Sequence, residues 1–160
     1  MFQTPMINPD LPTVLYMDDE PGNRSAFKAA FRTEFNVLLA ADLAEAWASL
    51  AKHQVHVVIC DQRMPGVVGS EALRQIKDRY PKARRMLITA HADLQALVDA
   101  LNQAGVCHYI QKPWEATEVR KAVQAAWKDY KAEAEREAFT EKLLESNRQL
   151  EFAFRQSLLS

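Results

Sequence analysis

Four short apolar runs in this 160-residue sequence each lead into a group that can handle charge or protons. "TVLYM" (13–17) runs into Asp18, Asp19 and Glu20, and "VHVVIC" (55–60) runs into Asp61. "RMLIT" (85–89) closes on Thr89 beside Ala90, and "VCHYI" (106–110) leads through Gln111 to Lys112. Carboxylates gathered at one place repel unless some are protonated or a cation neutralises them, and a hard divalent ion with oxygen ligands is the simplest remedy. A hydroxyl and an ammonium on the same rim then suit an anionic group of about phosphate size. Singly, each residue has an ordinary explanation: Asp in a turn or helix cap, Thr as a cap, Lys as an exposed charge. A suitable group at four of five run ends is what points to a site.

The elements that must position these groups alternate. With "NVLLA" (36–40) there are five strand-length runs, separated by segments of helical spacing: Phe27 and Phe31; Leu43, Trp47 and Leu50; Leu73, Ile76 and Tyr80; Leu94, Leu97, Val98 and Leu101. Apolar runs without polar alternation predict a parallel sheet covered by helices on both faces. Five strand–helix units over roughly residues 13–127 predict a doubly wound α/β fold, whereas a closed eight-unit barrel needs about 200 residues or more. In such open sheets the ligand site lies beyond the carboxyl ends of the strands, where the polar groups stand.

Composition narrows the function classes. Twenty basic and 21 acidic residues leave a net charge of −1, with no overall electrostatic footprint for nucleic acid or an anionic membrane. No segment has the about 18 consecutive apolar residues of a membrane span, and the N-terminus lacks the order of a secretory signal, so a cytoplasmic location is expected. Cys60 and Cys107 each fall in an apolar run and read as structural thiols. His53, His56, His91 and His108 show no ligand spacing with them that would suit zinc.

"VLYMDDEPGN", "VVICDQRMPGVVGSEAL", "RRMLITA" and "AGVCHYIQKPW", in this order, resemble the receiver domain of two-component response regulators. The likeness covers about residues 12–127, leaving an N-terminal tail (1–11) and an extension (128–160). It implies the flavodoxin-like strand order 2-1-3-4-5, which sets Cys60 and Cys107 two strands apart, about 9.6 Å and beyond disulfide reach. It implies that Asp61 accepts a phosphoryl group from a histidine kinase or a histidine phosphotransfer protein. Asp18 and Asp19 would bind Mg²⁺ with Asp61 and the backbone carbonyl of Arg63. Thr89 and Lys112 would contact the phosphoryl group, and Tyr109 would be the aromatic residue that changes rotamer. The Lys112–Pro113 bond would be cis. Such a domain is a signalling module that catalyses only its own phosphorylation and dephosphorylation. Its signal would leave through the face made by the fourth helix, fifth strand and fifth helix. Arg63 and His91, each two residues beyond a site residue, would flank the path of a hydrolytic water. The competing reading is a metal-dependent phosphatase of another α/β family. Such enzymes generally need a second acid two residues after the nucleophile, and Arg63 stands there.

From Lys128 to Ser160 there is neither Gly nor Pro, and strong helix formers dominate. This predicts an extended C-terminal helix. Leu143, Asn147, Leu150 and Phe154 follow 4-3-4 spacing, with Leu158 four further on, which suggests a short heptad seam with Asn147 at an a position and a homodimer formed through it. No helix-turn-helix or glycine-rich nucleotide loop follows. The signal is therefore expected to pass to a partner or to a downstream output domain.

Overall fold

The computed structural model describes residues 6–90 and 98–159. Five strands, β1 (Thr13–Met17), β2 (Asn36–Ala40), β3 (Val57–Asp61), β4 (Arg84–Thr89) and β5 (His108–Gln111), form one sheet in the order β2-β1-β3-β4-β5. Every neighbouring pair is parallel. The connecting helices are α1 (Pro21–Phe31), α2 (Leu43–Lys52), α3 (Gly69–Arg79) and α4 (Val98–Ala104), followed by α5 (Ala116–Leu159). The doubly wound fold and the long terminal helix expected from the sequence are both present.

The strands are apolar at consecutive positions because both faces are covered. Leu15, Met17, Val58, Cys60 and Leu87 pack with Leu50, Leu73 and Ile76 of α2 and α3. The intervening residues Val14, Tyr16, Val57, Ile59, Met86, Ile88 and Ile110 pack with Phe27 and Phe31 of α1 and Val119 and Val123 of α5. The period of two along each strand divides one apolar run between two cores. Local signals start the helices: Pro21 opens α1, where its missing N–H has no partner to lose. Asp42 caps α2 by accepting from the Glu45 N–H at 2.9 Å.

Three strand boundaries and one cysteine differ from expectation. β3 begins at Val57 and takes in Asp61, β4 begins at Arg84, and β5 begins at His108. Cys107 was expected inside a strand as a structural thiol; it precedes β5 and is exposed, while Cys60 is buried as expected and both thiols are free. β5 is an edge strand, and only Ile110 of it is buried, so apolar character near the edge does not translate into burial. Leu94, Leu97 and His91 lie outside the described residues, and no side-chain placement is described for Leu101.

The chain divides into two compact units, Met1–Trp127 and Lys128–Ser160. The second unit is helical through Leu159, and its side chains from residue 134 to residue 159 are exposed.

Candidate functional site

Parallel strands bring their carboxyl ends to one edge. Met17 pairs with Cys60, Asp61 with Ile88, and Thr89 with Gln111, so the residues that end or follow these strands lie side by side. Asp18, Asp19 and Asp61 each offer a carboxylate oxygen to one cluster, with these oxygens all within 4.8 Å of one another. Lys112 joins from the far side: its N–H donates to the Thr89 carbonyl at 3.0 Å, and its Nζ lies 2.6 Å from Asp61 Oδ1. The Lys112–Pro113 bond is cis.

The three carboxylates are held differently. Asp18 is buried and its oxygens are engaged: Oδ2 accepts from the Tyr16 hydroxyl at 2.9 Å and from Asn23 Nδ2 at 3.0 Å, and Oδ1 accepts from the Glu20 N–H at 3.0 Å. Arg24 donates to the Asp18 carbonyl at 2.8 Å. Burial, then the charge of Asp18, push the Tyr16 hydroxyl well above its usual range, so it remains a donor. Asp19 is partly exposed.

Asp61 is 3% exposed, and the Lys112 ammonium stands 2.6 Å from its Oδ1. At that distance the contact is a charge-assisted one between ammonium and carboxylate. It offsets one negative charge in a cluster of three carboxylates. Burial raises the Asp61 pKa above the ordinary carboxylate range; Lys112 pulls it down, and Asp18 and Asp19 push it up. Three carboxylates with oxygens within 4.8 Å of one another, and one ammonium beside them, fit a hard divalent cation with oxygen ligands.

Asp61 is fixed by the loop that follows it. Gln62 donates its N–H to the Ile88 carbonyl at 2.9 Å, accepts from the Gly69 N–H at 3.0 Å, and through Oε1 accepts from the Ser70 N–H at 2.8 Å. Gln62 thus caps the start of α3 from eight residues away. Gly66, at the turn, has φ +87°, a conformation that favours glycine. At Gly69 the constraint is proximity, since a Cβ there would stand 2.3 Å from the Asp61 carbonyl oxygen.

Thr89 is buried at the end of β4, and its hydroxyl donates to the Ala90 carbonyl at 3.4 Å. Tyr109, paired in register with Leu87, is half exposed on β5. Arg63 is exposed in the loop between β3 and α3. Asp18, Asp19, Asp61 and Lys112 are thus brought together, with Thr89 tied to the Lys112 backbone. Sequence reasoning missed Tyr16, Asn23, Arg24 and Gln62, which hold the acids in place. The only signal was proximity in the chain: each lies within six residues of the acid it serves.

Residues 14–124 match the family described as the response regulator receiver domain. The hydrogenase transcriptional regulatory protein HoxA of Cupriavidus necator is 38% identical over 117 residues, covering 71% of this chain and 24% of the relative. The DNA-binding transcriptional regulator NtrC of Salmonella typhimurium is 40% identical over 86 residues, covering 54% of this chain and 18% of the relative. The chain thus spans about a quarter or less of the length of these curated relatives. Among solved structures, a response regulator receiver domain protein from Clostridium thermocellum is 28% identical with a TM-score of 0.71, covering 76% of this chain and 98% of that one. The signal receiver domain of an HD domain-containing protein from Pseudomonas fluorescens is 26% identical with a TM-score of 0.74, covering 82% and 97%. None of these favours the phosphatase reading.

Proposed function

Because the chain belongs to the response regulator receiver domain family, we propose that Asp61 is its phospho-acceptor and that a histidine kinase or a histidine phosphotransfer protein is its donor. The observation that carries this is the buried Asp61 carboxylate, which shares its cluster with Asp18 and Asp19 while an ammonium stands 2.6 Å from its Oδ1. An Asp61 oxygen forms the new O–P bond as the N–P bond of the donor histidine breaks, and the histidine nitrogen departs.

Asp18, Asp19, Asp61 and the Arg63 carbonyl would hold Mg²⁺, which supplies positive charge to the phosphoryl oxygens as they pass between donor and acceptor. Asp18, with its oxygens tied to Tyr16, Asn23 and the Glu20 N–H, keeps the cluster oriented. Lys112 offsets the remaining charge. Its ion pair with Asp61 gives way to contact with the phosphoryl group, so phosphorylation removes the partner that holds Lys112 now. The Thr89 hydroxyl, with only a long bond to the Ala90 carbonyl, moves toward the phosphoryl oxygen and vacates space for the Tyr109 ring. Phosphate favours that state because only there does it gain the Thr89 hydrogen bond.

The domain spans residues 12–127, between a tail (1–11) and a helical extension (128–160), and acts in the cytoplasm. No helix among the described residues is long and apolar enough to cross a membrane. The change at β5 passes through the face of α4, β5 and α5 to a partner or an output domain. The extension pairs with a second copy through the seam of Leu143, Asn147, Leu150 and Phe154, so that phosphorylation alters the angle between two receivers. Incubation with Mg²⁺ and a small phosphodonor should add one phosphoryl group by intact mass, and Asp61→Asn should abolish it. Undiminished labelling of that variant would rule out the assignment.

A further inference from the structure

Six residues of α5, Phe139, Leu143, Asn147, Leu150, Phe154 and Leu158, are exposed, and the five apolar ones are 50% to 69% exposed. Wound at the roughly 3.67 residues per turn of an eleven-residue repeat, the six form one stripe about 65° wide. Their spacing is 4-4-3-4-4, and it repeats every eleven residues: Phe139 with Leu150, Leu143 with Phe154, Asn147 with Leu158. A seven-residue repeat through Leu143, Asn147, Leu150 and Phe154 would instead place Thr140, Arg136 and Ser157 on the seam. It would leave Phe139 and Leu158 on its margins.

Resting on the reading that the extension pairs with a second copy, we propose that the pair is a parallel, in-register seam of eleven-residue periodicity running from Phe139 to Leu158. An eleven-residue repeat averages about 3.67 residues per turn, close to the helix's own 3.6. The two helices therefore lie nearly straight or with a slight right-handed twist, without the left-handed supercoil that a heptad imposes. A second copy is the occupant because the stripe suits itself. In a parallel pair every seam residue meets its own twin, and from Phe139 to Leu158 none of the six carries a charge. Asn147 meets Asn147, where one amide donates to the other. The stripe also has an end: Arg136, eleven residues before Asn147, would meet its own copy and repel it, so pairing begins beyond it.

Cysteine cross-linking of the full chain tests the register. Cys107 is exposed and is replaced first (Cys107→Ser), whereas Cys60 is buried. Single cysteines then go in as Phe139→Cys and Leu158→Cys, on the proposed seam, and as Thr140→Cys and Ser157→Cys, on its flanks. Asn147→Cys is central in either register. A disulfide needs Cα atoms closer than about 7 Å, so mild oxidation should link copies through residues 139, 147 and 158 several-fold more than through 140 and 157. The opposite preference would overturn the eleven-residue register and leave pairing intact. A dimer in sedimentation that does not cross-link at 147 would overturn the parallel arrangement. A monomeric parent chain at micromolar concentration would overturn pairing itself.

Discussion

The two ends of the sheet treat buried polar groups in opposite ways. At the amino ends of the strands they are fully paired. Asn36 donates to the Asn8 and Leu11 carbonyls at 2.8 and 3.1 Å while its Oδ1 accepts from the Asn8 N–H at 2.8 Å. His56 Nδ1 accepts from the Thr13 N–H at 2.9 Å. Arg85, only 8% exposed, donates to the carbonyls of Ala104, Gly105, Pro81 and Ala83, so a buried cation is solvated by four peptide dipoles. At the carboxyl ends like charges are packed together, and one ammonium stands against three carboxylates. Saturated hydrogen bonding makes one end a fixed base. The surplus of negative charge at the other end is stabilising only when a cation or ligand offsets it, which is what a binding site requires.

The largest effect is expected from Gly69→Ala. Its Cβ meets the Asp61 backbone, which cannot yield as a flexible side chain could, so a loss of about 3 kcal/mol is expected with loss of phosphorylation. Urea unfolding and intact mass would check both, and a stable, fully labelled variant would break the claim that this end has no slack. Arg85→Met, at the opposite end, leaves four carbonyls without their donor and should cost about 2 kcal/mol. Phosphorylation of its folded fraction should be unchanged. A specific loss of labelling would mean that the two ends are coupled.

Asp61→Asn sharpens the contrast in a third way. The Asp61 pKa is raised in the folded chain, chiefly by burial, so folding favours its protonated form. That contribution is present below the unfolded pKa and is lost as pH rises through the folded pKa. With Mg²⁺ chelated, the Asn variant should therefore be the more stable protein at neutral pH. The difference should close as pH falls through the folded Asp61 pKa, and thermal melts across that range would show it. The smallest effect is reserved for Glu34→Gln, which removes a bidentate but half-exposed pair with Arg120. Arg120 holds the Glu34 carboxyl below its usual range, yet solvent screening limits the loss to under about 1 kcal/mol by denaturant titration.

Sequence by itself determined the order of elements and the chemical types along the rim. An apolar run and the polar residue that ends it are neighbours in the chain, so Asp18, Asp19, Asp61, Thr89 and Lys112 could be located without any knowledge of pairing. The terminal helix was legible for the same local reason. Tertiary structure decided where each strand begins, because the ladder starts only where a partner strand lies alongside. Val55 and His56 precede β3, and Val106 and Cys107 precede β5, although their runs are apolar. It also decided what holds the acids. The Gln62 side chain reaches Ser70 across a loop, a Cβ at Gly69 would meet the Asp61 carbonyl, and at the opposite end of the sheet Arg85 meets Ala104 nineteen residues away. The Arg85 contact depends on a crossover that brings distant segments together, and those of Gln62 and Gly69 depend on how the loop after β3 turns back on itself, so the spacing of apolar residues encodes none of them. Asp18 takes its side-chain partners from Tyr16, Glu20 and Asn23 nearby in the chain, whereas Asp61 meets Lys112 only because pairing in the sheet sets their strand ends side by side, which is why two strand-end aspartates differ in the folded chain.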